Sequence, residues 1–262
     1  MQSTNTFPVW ATAFAVIAGA AALSSQDSSR FVSATGPVVE AAQTATAAAA
    51  VAAVSPATAP VIQLATPAAR AAVNIASEQV IRQQIKFETV KYGGKQIKTL
   101  DEESRLMLVQ SAAVRAGLDE VGLSFEDVYG VIDAETSWIP RTGMGKNGVQ
   151  SYGLAQFEPR TAKGLGLKDP NDPVQAVHFA AINMKNGAKW AANKIAHLEL
   201  TPEQRAEKLR EGVSIYYNLS VKGRNKWDGL NTAQLPIETQ RHIRNVRVGA
   251  EEAIQLAQKI SA

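Results

Sequence analysis

The chain has 262 residues, enough for one domain of ordinary size with an extension, or for two small ones. It has no cysteine, which excludes a disulfide framework and a thiolate metal site, and His178, His197 and His242 lie far apart without metal-ligand spacing, so no zinc site is expected. A net charge of +3, spread over interspersed acids and bases, argues against nucleic-acid binding and suits a soluble domain that meets an anionic polymer.

Residues 1–26 hold no charged side chain, and up to Ala76 the only charges are Asp27, Arg30, Glu40 and Arg70. Within this stretch, residues 7–23 form a run of about 17 mostly apolar residues, the shortest that spans a bilayer as a helix. Ala20-Ala21-Ala22 also fits a secretory signal, but such signals begin with a positive region and no Lys or Arg precedes Arg30. Anchor and cleaved signal both stay open, and burial in an assembly is the plainer alternative. Residues 27–84 are dominated by Ala, Thr, Val and Pro. Alanine favours helix but buries little, and Pro56, Pro60 and Pro67 interrupt any long run, so a tether is expected. Residues 85–100 alternate apolar and polar around Gly93-Gly94, which predicts a β-hairpin.

From residue 101 to 262 the periodicity is helical. Asp101 begins one helix and Gly117 ends it; Ser124 and Asp127 have capping-box spacing. A long amphipathic helix is expected over 173–198, and another opens on Thr201, Pro202 and Gln204. A last helix runs from about 236 to 259. Strand signals are nearly absent here, so the fold class is all-α, with ample chain for one packed core.

The stretch "VYGVIDAETSWIP" places a carboxylate, Glu135, on the last turn of an apolar helix that Pro140 ends. Val128, Val131 and Ile132 share its face, since successive side chains turn by ~100°. Apolar surroundings and the negative end of a helix disfavour the anion, and a protonated carboxylic acid is what a glycosidic oxygen needs as proton donor. A surface Glu paired with a Lys is the plainer alternative. Downstream, "SYGLAQFEPRTAKGLG" joins a Gly-centred turn to an amide, an aromatic, a Pro and a Thr, and "SIYYNLS" sets Tyr217 and Asn218 at a helix end.

Together these segments resemble the catalytic domain of soluble lytic transglycosylases, the lysozyme-like family that cleaves peptidoglycan. "ETSWIP" matches the family's Glu-Ser-aromatic-Pro motif, with Thr136 for Ser. Gly153, Leu154, Gln156, Pro159 and Thr161 match Gly-Leu-x-Gln-x-x-Pro-x-Thr. Tyr216-Tyr217-Asn218 stands where Ala-Tyr-Asn is usual, and "LPIETQRHI" matches a Pro-x-Glu-Thr segment, with His242 where a Tyr belongs. The resemblance spans roughly residues 101–250. It implies Glu135 as the catalytic acid, and substrate contacts from Ser151, Gly153, Gln156, Tyr217, Asn218 and His242, the last bonding Glu135. It implies glycan strands of peptidoglycan as partner and no cofactor.

A hydrolytic lysozyme usually needs a second carboxylate. Asp133 is ~200° around the helix from Glu135 and points away; Glu158 is the other candidate. One acid favours the intramolecular route, in which a sugar hydroxyl closes a 1,6-anhydro ring on N-acetylmuramic acid. A hydrolytic muramidase and a catalytically idle wall-binding protein are the alternatives. An apolar start, a tether and a lytic domain suit a protein of the cell envelope or periplasm, or of a membrane-associated phage virion, within a larger assembly.

Overall fold

The structure, a computed structural model, describes residues 78–145 and 148–262. The apolar segment 7–23 and the tether up to residue 77 lie outside the described residues. The described chain opens in a helix, α1 (residues 78–84), where composition predicts tether. Tertiary contacts explain the difference. Ile81 is buried in the core, Arg82 bonds Asp172 at 2.9 Å, and Glu78 reaches Arg115 at 3.4 Å. Local composition does not register partners so distant in sequence.

The hairpin is observed as expected. β1 (Phe87–Tyr92) pairs antiparallel with β2 (Lys95–Leu100) across Gly93-Gly94, with Tyr92 opposite Lys95, Val90 opposite Ile97 and Glu88 opposite Thr99. Because side chains alternate along a strand, these six share one face.

The rest is mostly helical, as the sequence predicts: α2 (Glu102–Ala116), α3 (Phe125–Thr136), α4 (Pro159–Leu165), α5 (Pro173–Lys194), α6 (Pro202–Asn218), α7 (Val221–Arg224) and α8 (Ile237–Ser261). The caps form as read. Asp101 accepts from Ser104 N, Ser124 and Asp127 make a capping box, and so do Thr201 and Gln204. Several short elements, α7 among them, were not anticipated. The two-residue strands β3 (Gly143–Met144) and β4 (Gln150–Ser151) are too short to carry a period, and α4 opens on Pro159 within the second motif. Among the described residues, no helix is long and apolar enough to cross a membrane.

One apolar core joins α2, α3, α5 and α8. Val128, Val131 and Ile132 of α3 are fully buried, each stabilising the fold by about 1.5–3 kcal/mol. A second cluster of Ala191, Ile195, Ile215, Trp227 and Leu235 fixes the end of α6.

The α3–α8 packing matters most for the site. A Cβ on Gly130 would lie 2.2 Å from the Val246 carbonyl, and one on Gly249 would lie 2.9 Å from Gly130 Cα. Only hydrogen at both positions lets the two backbones approach this closely. The helices run antiparallel: Tyr129 donates to Glu252 at 2.9 Å at one end, and Glu135 meets His242 at the other.

Candidate active site

Glu135 occupies the last turn of α3, its side chain 17% exposed. His242 Nε2 lies 3.0 Å from Glu135 Oε1, and the imidazole is buried. Its Nδ1 is also buried and has no partner among the described residues. An orphaned N–H costs more than an orphaned lone pair, so the ring proton belongs on Nε2, and His242 donates to the carboxylate. Glu135 Oε2 is then left for another task.

The chain beyond Glu135 turns sharply. Ser137 (φ 50°) and Trp138 (φ 61°) are both left-handed, and so is Gln156 (φ 50°) on the facing loop. Among the described residues these are the three non-glycine positions with positive φ. Each conformation costs about 1–2 kcal/mol and persists only where surrounding contacts hold it. Those contacts are evident. Trp138 is buried against Tyr129, with ring centroids 4.9 Å apart, and its carbonyl accepts from Thr99 of β2. Thr136 Oγ1 donates to the Leu154 carbonyl at 2.9 Å, tying α3 to the second motif.

Arg141, which sequence reasoning passed over, is the hub. Its guanidinium donates to the carbonyls of Glu135 (2.7 Å) and Thr136 (3.3 Å), satisfying the free end of α3, and to the Tyr92 hydroxyl at 3.3 Å. Its own carbonyl accepts from Gln156 Nε2 at 2.8 Å and from Gly153 N at 3.1 Å. A base following a helix end was the available signal.

The second-motif residues are placed beside the site, but much of their polar capacity turns inward. Gln156 donates to the carbonyls of Arg141 and Gly153 and accepts from Ser151 Oγ, each at 2.8 Å. It braces the loop, where an amide directed at sugar was expected. Gly153 does permit a close approach, but to the protein itself: a Cβ there would sit 1.9 Å from the Pro170 carbonyl.

From α6, Tyr217 donates to the Ala155 carbonyl at 2.9 Å, and burial, then the nearby charge of Glu135, pushes its hydroxyl well above the usual phenol range. Asn218 is exposed and accepts from Thr239 Oγ1 at 2.9 Å, three residues before His242. Of the six predicted residues, His242 bonds Glu135 directly; Gly153 and Gln156, with Ser151 behind it, reach the Glu135 carbonyl through Arg141; Tyr217 feels the charge of Glu135 without bonding it, and Asn218 is tied only to α8 through Thr239.

Asp133 packs against Gly249; burial, then the charge of Glu252, raises its carboxyl above the usual range. Glu158 is the N-cap residue of α4. Among the described residues, no cluster of His, Cys, Asp and Glu is arranged to hold a metal. No protein-family model matches the chain, and neither does any curated protein or solved structure.

Proposed function

We propose that this chain is a peptidoglycan lytic transglycosylase with a lysozyme-like α domain, and that Glu135 is its only acid–base group. The observation that carries the reading is the Glu135–His242 hydrogen bond at the mouth of α3. It joins the first and fourth motifs of the resemblance, 107 residues apart.

The chemistry follows from the pair. His242 holds Oε1, so Oε2 carries the proton to the oxygen linking N-acetylmuramic acid to N-acetylglucosamine. The C1–O bond breaks and the freed hydroxyl departs on the glucosamine unit. The positive centre at C1 is relieved by the sugar's own acetamide. Glu135, now a carboxylate, takes the proton of the C6 hydroxyl as O6 bonds C1, and the 1,6-anhydro ring closes. The acid is regenerated and no water is consumed. A nucleophile in the same ring has a very large effective concentration, so no second carboxylate is required.

A protein with this activity opens the wall locally, in a phage particle delivering its genome or in an envelope-spanning machine. Its partner is the glycan strand.

The test is Glu135→Gln in the full chain, incubated with purified peptidoglycan and read by mass spectrometry of released muropeptides. The expected outcome is anhydro ends from the wild type and at least ~100-fold less release from the variant. Ends heavier by one water identify a hydrolytic muramidase. Equal release from both proteins overturns the assignment of Glu135.

A further inference from the structure

The β1–β2 hairpin lies outside the segment that resembles a known family, yet it is bonded to the site at both ends. At its base, Thr99 donates to the carbonyl of Trp138, three residues beyond Glu135. At its tip, the Tyr92 hydroxyl accepts from Arg141, whose other nitrogen holds the Glu135 carbonyl. Thr99, Ile97, Val90, Tyr92 and Lys95 share one face through the observed register, so the face anchored on Trp138 runs toward the tip beside the 137–141 turn.

This face is only partly covered by the protein. Val90 and Ile97 are half-buried, whereas Tyr92 stays 47% exposed although its hydroxyl is held. A tyrosine fixed by its hydroxyl, with its ring left open, is a rigid apolar surface with little entropy to lose on binding. Lys95, opposite it across the strands, is exposed and makes no ion pair among the described residues. An aromatic ring beside an exposed cation, one guanidinium away from the last turn of α3, matches a pyranose face bearing an acidic substituent.

We propose that the hairpin tip is a saccharide platform on which the Tyr92 ring stacks a sugar of the same strand that Glu135 cleaves, with Lys95 facing its acidic substituent. This rests on the lytic reading of Glu135. The occupant follows from continuity, because a glycan threaded through the Glu135 site must leave it past a neighbouring wall, and this one is bonded to the catalytic helix end.

The experiment uses the full chain carrying Glu135→Gln, so that substrate is bound without being consumed, and measures binding to purified peptidoglycan sacculi. Tyr92→Ala is expected to weaken binding about tenfold, the loss of one stacked ring. Tyr92→Phe and Tyr92→Trp keep a ring but give up the bond that fixes it, and are expected to weaken binding by no more than about threefold, clearly less than Tyr92→Ala. If Tyr92→Ala binds as the parent does, the platform is overturned. If Tyr92→Phe loses as much as Tyr92→Ala, the hydroxyl acts only as a brace for Arg141, and the platform is again overturned. Failure of the lytic reading looks different: the chain with Glu135 intact then releases no muropeptide, whatever the binding series shows.

Discussion

His242 has one nitrogen on Glu135 and the other buried without a partner among the described residues, and that asymmetry defines its task. It supplies a single N–H to one carboxylate oxygen and leaves the other outside that bond. A hydrogen bond to a charged group contributes about 1.5–3 kcal/mol, so His242→Ala is expected to lower kcat by about 10–100-fold with little change in KM. His242→Gln can present an amide N–H and should recover part of that loss. Steady-state kinetics on peptidoglycan checks both variants. An equal loss in KM would assign His242 to substrate binding. Arg141 acts at the same scale, through backbone: it is bonded to the carbonyls of α3, to the loop and to the hairpin, so one side chain sets three elements around the acid.

At the scale of elements, the site depends on how closely α3 and α8 approach. The hydrogen bond of 3.0 Å between Glu135 and His242 exists because Gly130 and Gly249 let the helices touch backbone to backbone. Gly130→Ala puts a methyl group 2.2 Å from the Val246 carbonyl, a rigid backbone atom. The helices must separate, at a cost of about 1–3 kcal/mol. Thermal unfolding should show a Tm lower by several degrees, and muropeptide release should fall more than stability alone explains. A wild-type Tm would mean that the contact relaxes without cost. The strained turn at Ser137 and Trp138 belongs to this scale too, since the hairpin, the loop and the aromatic core pin it from three sides.

The whole molecule carries a titration distinct from the site. His178 of α5 is buried beside Arg115; burial, then that positive charge, pushes the imidazole down to about 4 from 6.5, while Glu78 opposes. A depressed histidine binds protons more readily when unfolded. Stability is therefore fully present above pH 6.5 and is lost as pH falls toward 4, by about 3 kcal/mol for this group alone. Asp127 and Asp133, raised chiefly by burial, oppose this at the acid end, because the folded protein protonates them more readily. Urea midpoints measured between pH ~7 and ~4 should fall with acidity in the wild type, and fall less steeply in His178→Asn. Parallel slopes in the two proteins would remove His178 as the cause. The same region holds α1 to the core through Glu78 and Arg115.

The long helices, their caps and the hairpin were legible in the sequence, because each is written in neighbouring residues: Ser124 with Asp127, Thr201 with Gln204, Gly93 with Gly94. The order of the four motif segments was legible for the same reason, and with it the identity of Glu135 as a candidate acid. The inward commitment of Gln156, the hub at Arg141, the hairpin's docking on the 137–141 turn and the helical state of residues 78–84 were not. Each depends on partners far away in the chain, and only packing brings those together. A side chain's type states what bonds it can make. Whether it spends them on its own fold or leaves them for a ligand is decided by the atoms that surround it once the chain has closed.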